Sequence, residues 1–176
     1  MNPRLNLIIP KHLSDSVIEF AEISGLDFFV INNSGAQRRY CNLNANDTKI
    51  TKIVSDFSEQ CFNSIGITEF KEEPIFGNFI GVNGTGGFVH PHTDPLGSVG
   101  EYHLRLNFLV QKPVSGGVPI MDGIQYEIEE MHSWINLASS WLHSSTPVVG
   151  VRNRIVLSLG KLVSPEIVEN ILVGYK

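Results

Sequence analysis

The chain is 176 residues long, 42% hydrophobic and 18% charged, with a formal net charge of −5. That length suits one domain with one substantial core, and the composition is that of an ordinary globular protein. The mild acidity, without any basic run, argues against a nucleic-acid footprint, and no apolar stretch approaches the ~20 residues that span a bilayer. The apolar patch near the N-terminus is too short and too interrupted for a signal peptide. Cys41 and Cys61 are too far apart for a zinc motif and too few for a disulfide framework. They read as reduced, partly buried thiols of a cytoplasmic protein.

In chain order, Val17, Ile18 and Ala21 fall at helical spacing between Ser14 and Ile23, and Gly25 ends that segment. Phe28 to Ile31 reads as a strand. Asn46 or Asp47 caps a second helix, in which Ile50, Ile53, Val54, Phe57 and Cys61 share a face and Gly66 is the stop. The character changes after Glu73. Short β-rich runs follow, at Phe76–Val82, Gly87–His92, Tyr102–Val110, Val118–Met121, Trp134–Leu137, Trp141–His143 and Ile155–Leu159. They are separated by Gly, Pro, Asn and Ser, as in a barrel or sandwich. Ser164-Pro165-Glu166 starts a closing helix. The expected architecture is mainly β with flanking helices: a helical part over residues 1–73 packed on a barrel over 74–161, then a helix over 162–176, all in one domain.

Within the β-rich part, His92 and Asp94 stand two residues apart. On an extended strand both point to one face. His143 closes another short β-run. Two neutral nitrogens and one carboxylate hold iron(II) without filling its six positions, which leaves room for a second ligand and for dioxygen. His-x-Asp by itself recurs by chance; the later His143, followed about ten positions on by basic residues, gives the pattern its weight. His90 shares the parity of His92 and also reads as a ligand, but only His92 completes the two-residue step to Asp94. His12, His103 and His132 have no partner pattern.

Arg154, Val156 and Ser158 share one face of the strand that follows, and Arg152 shares it if the strand starts early. An inward arginine in an apolar barrel is costly unless an anion meets it, and a dicarboxylate meets a guanidinium through two parallel hydrogen bonds. Arg154 is the first choice and Arg152 the alternative. On the run from Tyr102 to Val110, Arg105 and Asn107 occupy one face, with Leu104, Leu106 and Phe108 on the other. If the apolar face packs on the helices, Arg105 and Asn107 line the cavity.

From Phe76 to Leu159 the chain resembles the iron(II)/2-oxoglutarate-dependent dioxygenases. The resemblance rests on Asn83-Gly-Thr-Gly-Gly-Phe-Val-His-Pro-His92-Thr-Asp94, on Ser115-Gly-Gly117, and on the segment from His143 to Arg154-Ile155. The glycine-rich lead-in and the Gly-Gly turn look like prolyl hydroxylases; Leu104-Arg-Leu-Asn107 looks closer to aspartyl/asparaginyl β-hydroxylases. The resemblance implies a double-stranded β-helix (jelly-roll, cupin-like) core and iron(II) held by His92, Asp94 and His143. It also implies 2-oxoglutarate as co-substrate, its far carboxylate on Arg154 or Arg152, with Arg105, Asn107 and Ser158 in support. Dioxygen and a small-molecule or peptide substrate would complete the reaction: hydroxylation of an amino acid, free or within a peptide, with release of succinate and carbon dioxide. The competing reading is a metal-binding cupin-type protein without oxygenase activity.

Overall fold

The structure is a computed structural model and describes residues 3–23, 29–30, 37–43, 49–96 and 100–174. The chain opens with β1 (Arg4–Ile8), α1 (Lys11–Ile23), β2 (Phe29–Val30), β3 (Arg38–Asn42) and α2 (Lys49–Ser64). Then come β4 (Lys71–Glu72), β5 (Phe79–Asn83), β6 (Tyr102–Gln111), β7 (Ser115–Gly116), β8 (Pro119–Met121) and β9 (Ile124–Gln125). It ends with β10 (His132–Leu137), β11 (His143–Ser145), β12 (Val148–Val149), β13 (Arg154–Val163) and α3 (Pro165–Gly174).

One antiparallel sheet runs β1-β10-β6-β13-β5-β3-β2, with β4 also pairing with β13. Smaller sheets, β11-β8-β9 and β12-β7, lie apart from it. The long strands β6 and β13 are buried on both faces, and alternation sorts their side chains. Leu104, Leu106 and Phe108 of β6, Leu157 and Leu159 of β13, and Ile80 and Val82 of β5 join Leu13 and Val17 of α1 and Val54 and Phe62 of α2 in one apolar core. Phe57 of α2 meets Phe108 at 5.2 Å between ring centres. Residues of opposite parity (Gly81, Asn83, Arg105, Asn107, Trp134, Asn136, Arg154, Val156) line a cavity on the other side, together with Pro119, Ile120, Met121, His143 and Ser144 of β8 and β11.

Both long helices form where the spacing of apolar residues predicts. α2 ends as Gly66 implies: Gly66 N–H donates to Asn63 and Ile67 N–H to Phe62, both at 3.0 Å, with Gly66 at φ +80°. The expected cap at Asn46 or Asp47, the stop at Gly25, and the outer residues of the Phe28–Ile31 strand lie outside the described residues. Among the described residues no helix is long and apolar enough to cross a membrane.

Two expectations need correction. The first 73 residues are not only helical: β1 covers β10, and β3 covers β5, in the same sheet as the core strands. Without them β10 and β5 would be open edges. Gly87–His92 is not a strand either. Only His92 makes a β-bridge, and at Val89 the hydroxyl of Ser145 accepts the backbone N–H in place of a ladder carbonyl, at 3.0 Å.

Candidate metal centre

His92 and His143 face each other as a single antiparallel bridge. His92 N–H donates to the carbonyl of His143 at 3.1 Å, and His143 N–H donates back at 2.9 Å. This pairing brings the two sequence-distant segments together. Asp94 is anchored separately, its N–H donating to the carbonyl of Ala138 at 2.7 Å. The three side chains converge: His92 Nε2 lies 3.5 Å and His143 Nε2 3.8 Å from Asp94 Oδ1. One ligand atom from each of the three lies within 4.8 Å of the others.

The ring nitrogens turned away from this point are engaged. Nδ1 of His92 lies 2.7 Å from the carbonyl of His90, and Nδ1 of His143 lies 3.0 Å from the carbonyl of Trp141. A carbonyl only accepts, so each Nδ1 carries the proton and each Nε2 presents a lone pair toward Asp94. Burial, and then the neighbouring His92, pull His143 down to about 4, so it is neutral at physiological pH. Burial alone would raise the pKa of Asp94. The adjoining His92 and the charge of Arg105 reverse that and hold it ionised, well below the usual carboxylate range. Two neutral nitrogens and one anionic oxygen, half-buried to buried, fit an iron(II)-type site. His90 is not in this group; its ring stacks on His92, centres 4.7 Å apart.

Behind Asp94 stands a buried ionic chain. Arg105 Nε donates to Asp94 Oδ2 at 3.1 Å, its other nitrogens donate to the carbonyl of Gly77 and to Glu73 Oε2, each at 3.1 Å, and Phe79 lies under its plane at 5.1 Å. Glu73 also accepts the backbone N–H groups of Ile75, Phe76 and Gly77, each at 2.7 Å. Arg105 lines the cavity as expected, but its three nitrogens are taken up by Asp94, Gly77 and Glu73 rather than reaching toward an external acid. Glu73 had no visible role in the sequence. The signal was a carboxylate just ahead of a Pro-Ile-Phe-Gly turn, where consecutive N–H groups need an acceptor.

The cavity has a volume of about 420 Å³ and holds His92, Asp94, His143 and Arg154 together. Arg154 is 5% exposed, and its Nε has no hydrogen-bond partner. Among the described residues no carboxylate pairs with it, and its guanidinium stands over the Trp134 ring at 5.8 Å. Burial, and then the charge of Arg38, draw it down to about 10. It therefore stays charged at neutral pH. Arg152, the alternative, lies outside the cavity in a two-pronged surface pair with Glu130, at 2.9 and 3.1 Å; it precedes β13 on an exposed turn. Asn107 lines the cavity, whereas Ser158 is fully buried and is not part of the wall. The structure adds Arg38, Tyr40, Asn83 and Asn136 to the wall. Asn83 Nδ2 and Asn136 Oδ1 are buried without partners.

No protein-family model and no curated protein matches the chain. Solved structures do. A prolyl-4-hydroxylase of Pseudomonas putida superposes with a TM-score of 0.67 at 13% identity, over 92% of this chain and 91% of that one. A viral collagen prolyl hydroxylase of Paramecium bursaria Chlorella virus-1, in complex with 2-oxoglutarate, gives 0.63 at 13%, over 90% and 93%. HygX of Streptomyces hygroscopicus, with nickel and 2-oxoglutarate bound, gives 0.60 at 7%, over 87% and 79%. The fold is therefore that of the 2-oxoglutarate/iron(II) oxygenases, with a jelly-roll core.

Proposed function

We propose that the whole chain acts as one oxygenase domain that uses iron(II), 2-oxoglutarate and dioxygen to hydroxylate an amino acid, free or within a peptide, with succinate and carbon dioxide as co-products. The observation that carries this reading is a buried arginine without an anion in the same cavity as a converging His-Asp-His group. A metal site alone has no use for Arg154. A co-substrate that is both a metal chelator and a dianion has a use for both.

In this reading His92, Asp94 and His143 hold the ion from one side. When bound, iron(II) with a 2-oxo acid supplies the dioxygen activation that no protein side chain provides. Arg154 takes the far carboxylate of 2-oxoglutarate through its planar fork and sets the depth to which the acid enters. Asn107 and the orphaned amide of Asn83 offer further polar contacts from the wall. Arg105, pinned by Glu73, keeps the second oxygen of Asp94 occupied and so presents the first to the ion. Trp134, Val156 and Met121 keep that part of the cavity apolar and exclude water.

Anaerobic titration with iron(II) and 2-oxoglutarate tests the reading. The weak visible metal-to-ligand band of the chelate is expected with the wild-type chain, and Arg154→Gln should need at least tenfold more 2-oxoglutarate to reach it. A metal-binding cupin-type protein takes up the ion and shows no band. Succinate formation should be absent in His92→Ala and Asp94→Ala; turnover at the wild-type rate in either refutes the site.

A further inference from the structure

The cavity wall carries buried orphans of opposite kinds at its two ends. At one end Nδ2 of Asn83 and Nε of Arg154 are donors without acceptors, and the two residues are partners in the ladder of β5 and β13. At the other, Oδ1 of Asn136 is an acceptor without a donor. Asn136 is 4% exposed and lines the cavity. It is the ladder partner of Arg105, and two residues beyond it the carbonyl of Ala138 accepts the N–H of Asp94. Asn136 therefore stands at the metal end of the wall. Arg105 is the neighbouring donor, yet it does not serve Asn136. Its guanidinium leans the other way, over Gly160 of β13, where a Cβ would stand 2.7 Å from Nη1, and its nitrogens are taken up by Asp94, Gly77 and Glu73.

A buried acceptor is costly unless a donor meets it. Solvent meets it while the cavity is open, but a ligand that expels this water must bring its own hydrogen. The co-substrate is an ionised diacid: it has oxygens for Asn83 and Arg154 and no hydrogen for Asn136. A metal cation and dioxygen have none either, so the missing donor falls to the substrate. An amino acid offers an ammonium when free and an amide N–H when acylated. The ammonium is unsuited to this place. Asn136 is neutral, and Asp94 turns one oxygen to His92 and His143 and the other to Arg105. A cation would shed its water there with no anion to meet it.

We propose that Asn136 reads the substrate: its Oδ1 accepts the amide N–H of an acylated amino acid, within a peptide or as a small N-acyl compound, and this contact turns the residue's side chain toward the metal group. The inference rests on the oxygenase reading above and narrows it. A free zwitterion does not fit, and neither does an acylated proline, which has no N–H to give.

The test uses full-length protein loaded with zinc(II), which binds such sites and is redox-silent, and saturated with 2-oxoglutarate. Calorimetry then measures binding of N-acetyl amino acid N-methylamides and of tripeptides blocked at both ends, which separates the small source from the peptide source. Each is paired with the ester in which oxygen replaces the central N–H. Free amino acids and the N-acetylproline compound are further arms. At least one amide should bind, with its ester weaker by about tenfold or more, the span of one buried hydrogen bond. Asn136→Leu should bring the amide down to the level of the ester and leave the ester within about threefold of wild type, so that the two changes are coupled. Asn136→Asp keeps an acceptor oxygen and should keep the preference for amide over ester. The affinity for 2-oxoglutarate should stay within about threefold of wild type in both variants, which also shows that they are folded. Failure of every amide to bind, an ester that binds as tightly as its amide in the wild type, or tighter binding of the free amino acids or of the proline compound overturns the proposal. So does an Asn136→Leu variant that still prefers the amide, or one that loses as much 2-oxoglutarate affinity as Arg154→Gln. Should Asn136→Leu not fold, the wild-type comparison of amide with ester and the Asn136→Asp variant decide. Wild-type protein that takes up metal but no 2-oxoglutarate overturns the oxygenase reading at the first step, before any amide is added.

Discussion

Gly117 lies directly under Arg154: a Cβ on the glycine would stand 2.7 Å from the arginine's Cδ. The glycine also has φ +64°, a region that side-chain-bearing residues rarely adopt. The turn between β7 and β8 thus makes the room in which the guanidinium is buried.

Gly117→Ala should therefore act on both fold and site. Strain and the clash are expected to cost about 1–3 kcal/mol and to push Arg154 out of line, lowering 2-oxoglutarate affinity at least tenfold. Thermal melting and 2-oxoglutarate titration of the metal-loaded variant check this; wild-type values in both would show that the contact is slack.

Arg154 should be a liability to the unliganded protein. Arg154→Met replaces a buried cation that has no anion by an apolar chain of similar length. It is expected to raise the stability of the ligand-free chain by about 1–3 kcal/mol. The same variant should lose the rise in melting temperature that 2-oxoglutarate gives the metal-loaded wild type. A destabilised Arg154→Met would mean that the Trp134 contact outweighs the burial of the charge.

The Glu73–Arg105–Asp94 chain should tune the metal without touching it. Arg105→Lys keeps the charge but loses the fork, and metal affinity should drop by about 10–100-fold. Competition with a chromophoric chelator reads this directly. Circular dichroism of the metal-free variant separates it from global unfolding.

Acid should weaken the fold partly through Glu73. Burial pushes its pKa up, but the hydrogen bonds from Ile75 and Phe76, the charge of Arg105 and the hydrogen bond from Gly77 outweigh it and hold the group below its ordinary 4.5. As pH falls below about 4.5 the unfolded chain takes up a proton that the folded chain refuses. Stability is then lost progressively until the folded group titrates. Glu73→Gln should be less stable at pH 7 by about 2–4 kcal/mol, with a shallower decline between pH 5 and 3. Parallel pH dependences of the two proteins in urea melts would exclude Glu73 as the source.

The three converging side chains were legible because their spacing marks them. His92 and Asp94 are two apart, and basic residues follow His143 about ten positions on, although His143 opens β11 rather than closing a run from Trp141. The long strands were legible too, since Leu104, Leu106 and Phe108 alternate with Arg105 and Asn107. Which of Arg152 and Arg154 enters the cavity was not, because both have the same parity; it follows from where β13 begins and from Glu130 drawing Arg152 to the surface. Glu73 and Arg38 were illegible for a different reason. Each reaches the cavity through a contact made far along the chain: Glu73 through Arg105, and Arg38 through the pairing of β3 with β5. Neither lies in a run with a period that would mark it. The short strands β7, β9 and β12, two residues each, carry too few positions to show alternation.

Because His92 and His143 are clasped to each other through main-chain atoms, the spacing of their imidazoles does not depend on the ion. That main-chain clasp should hold the receptacle's shape, so loading is expected to be capture rather than assembly. Stripping the ion and replacing it with another divalent cation should leave the polypeptide's architecture intact, and which cation occupies the chain is then governed by supply and intrinsic preference rather than by folding.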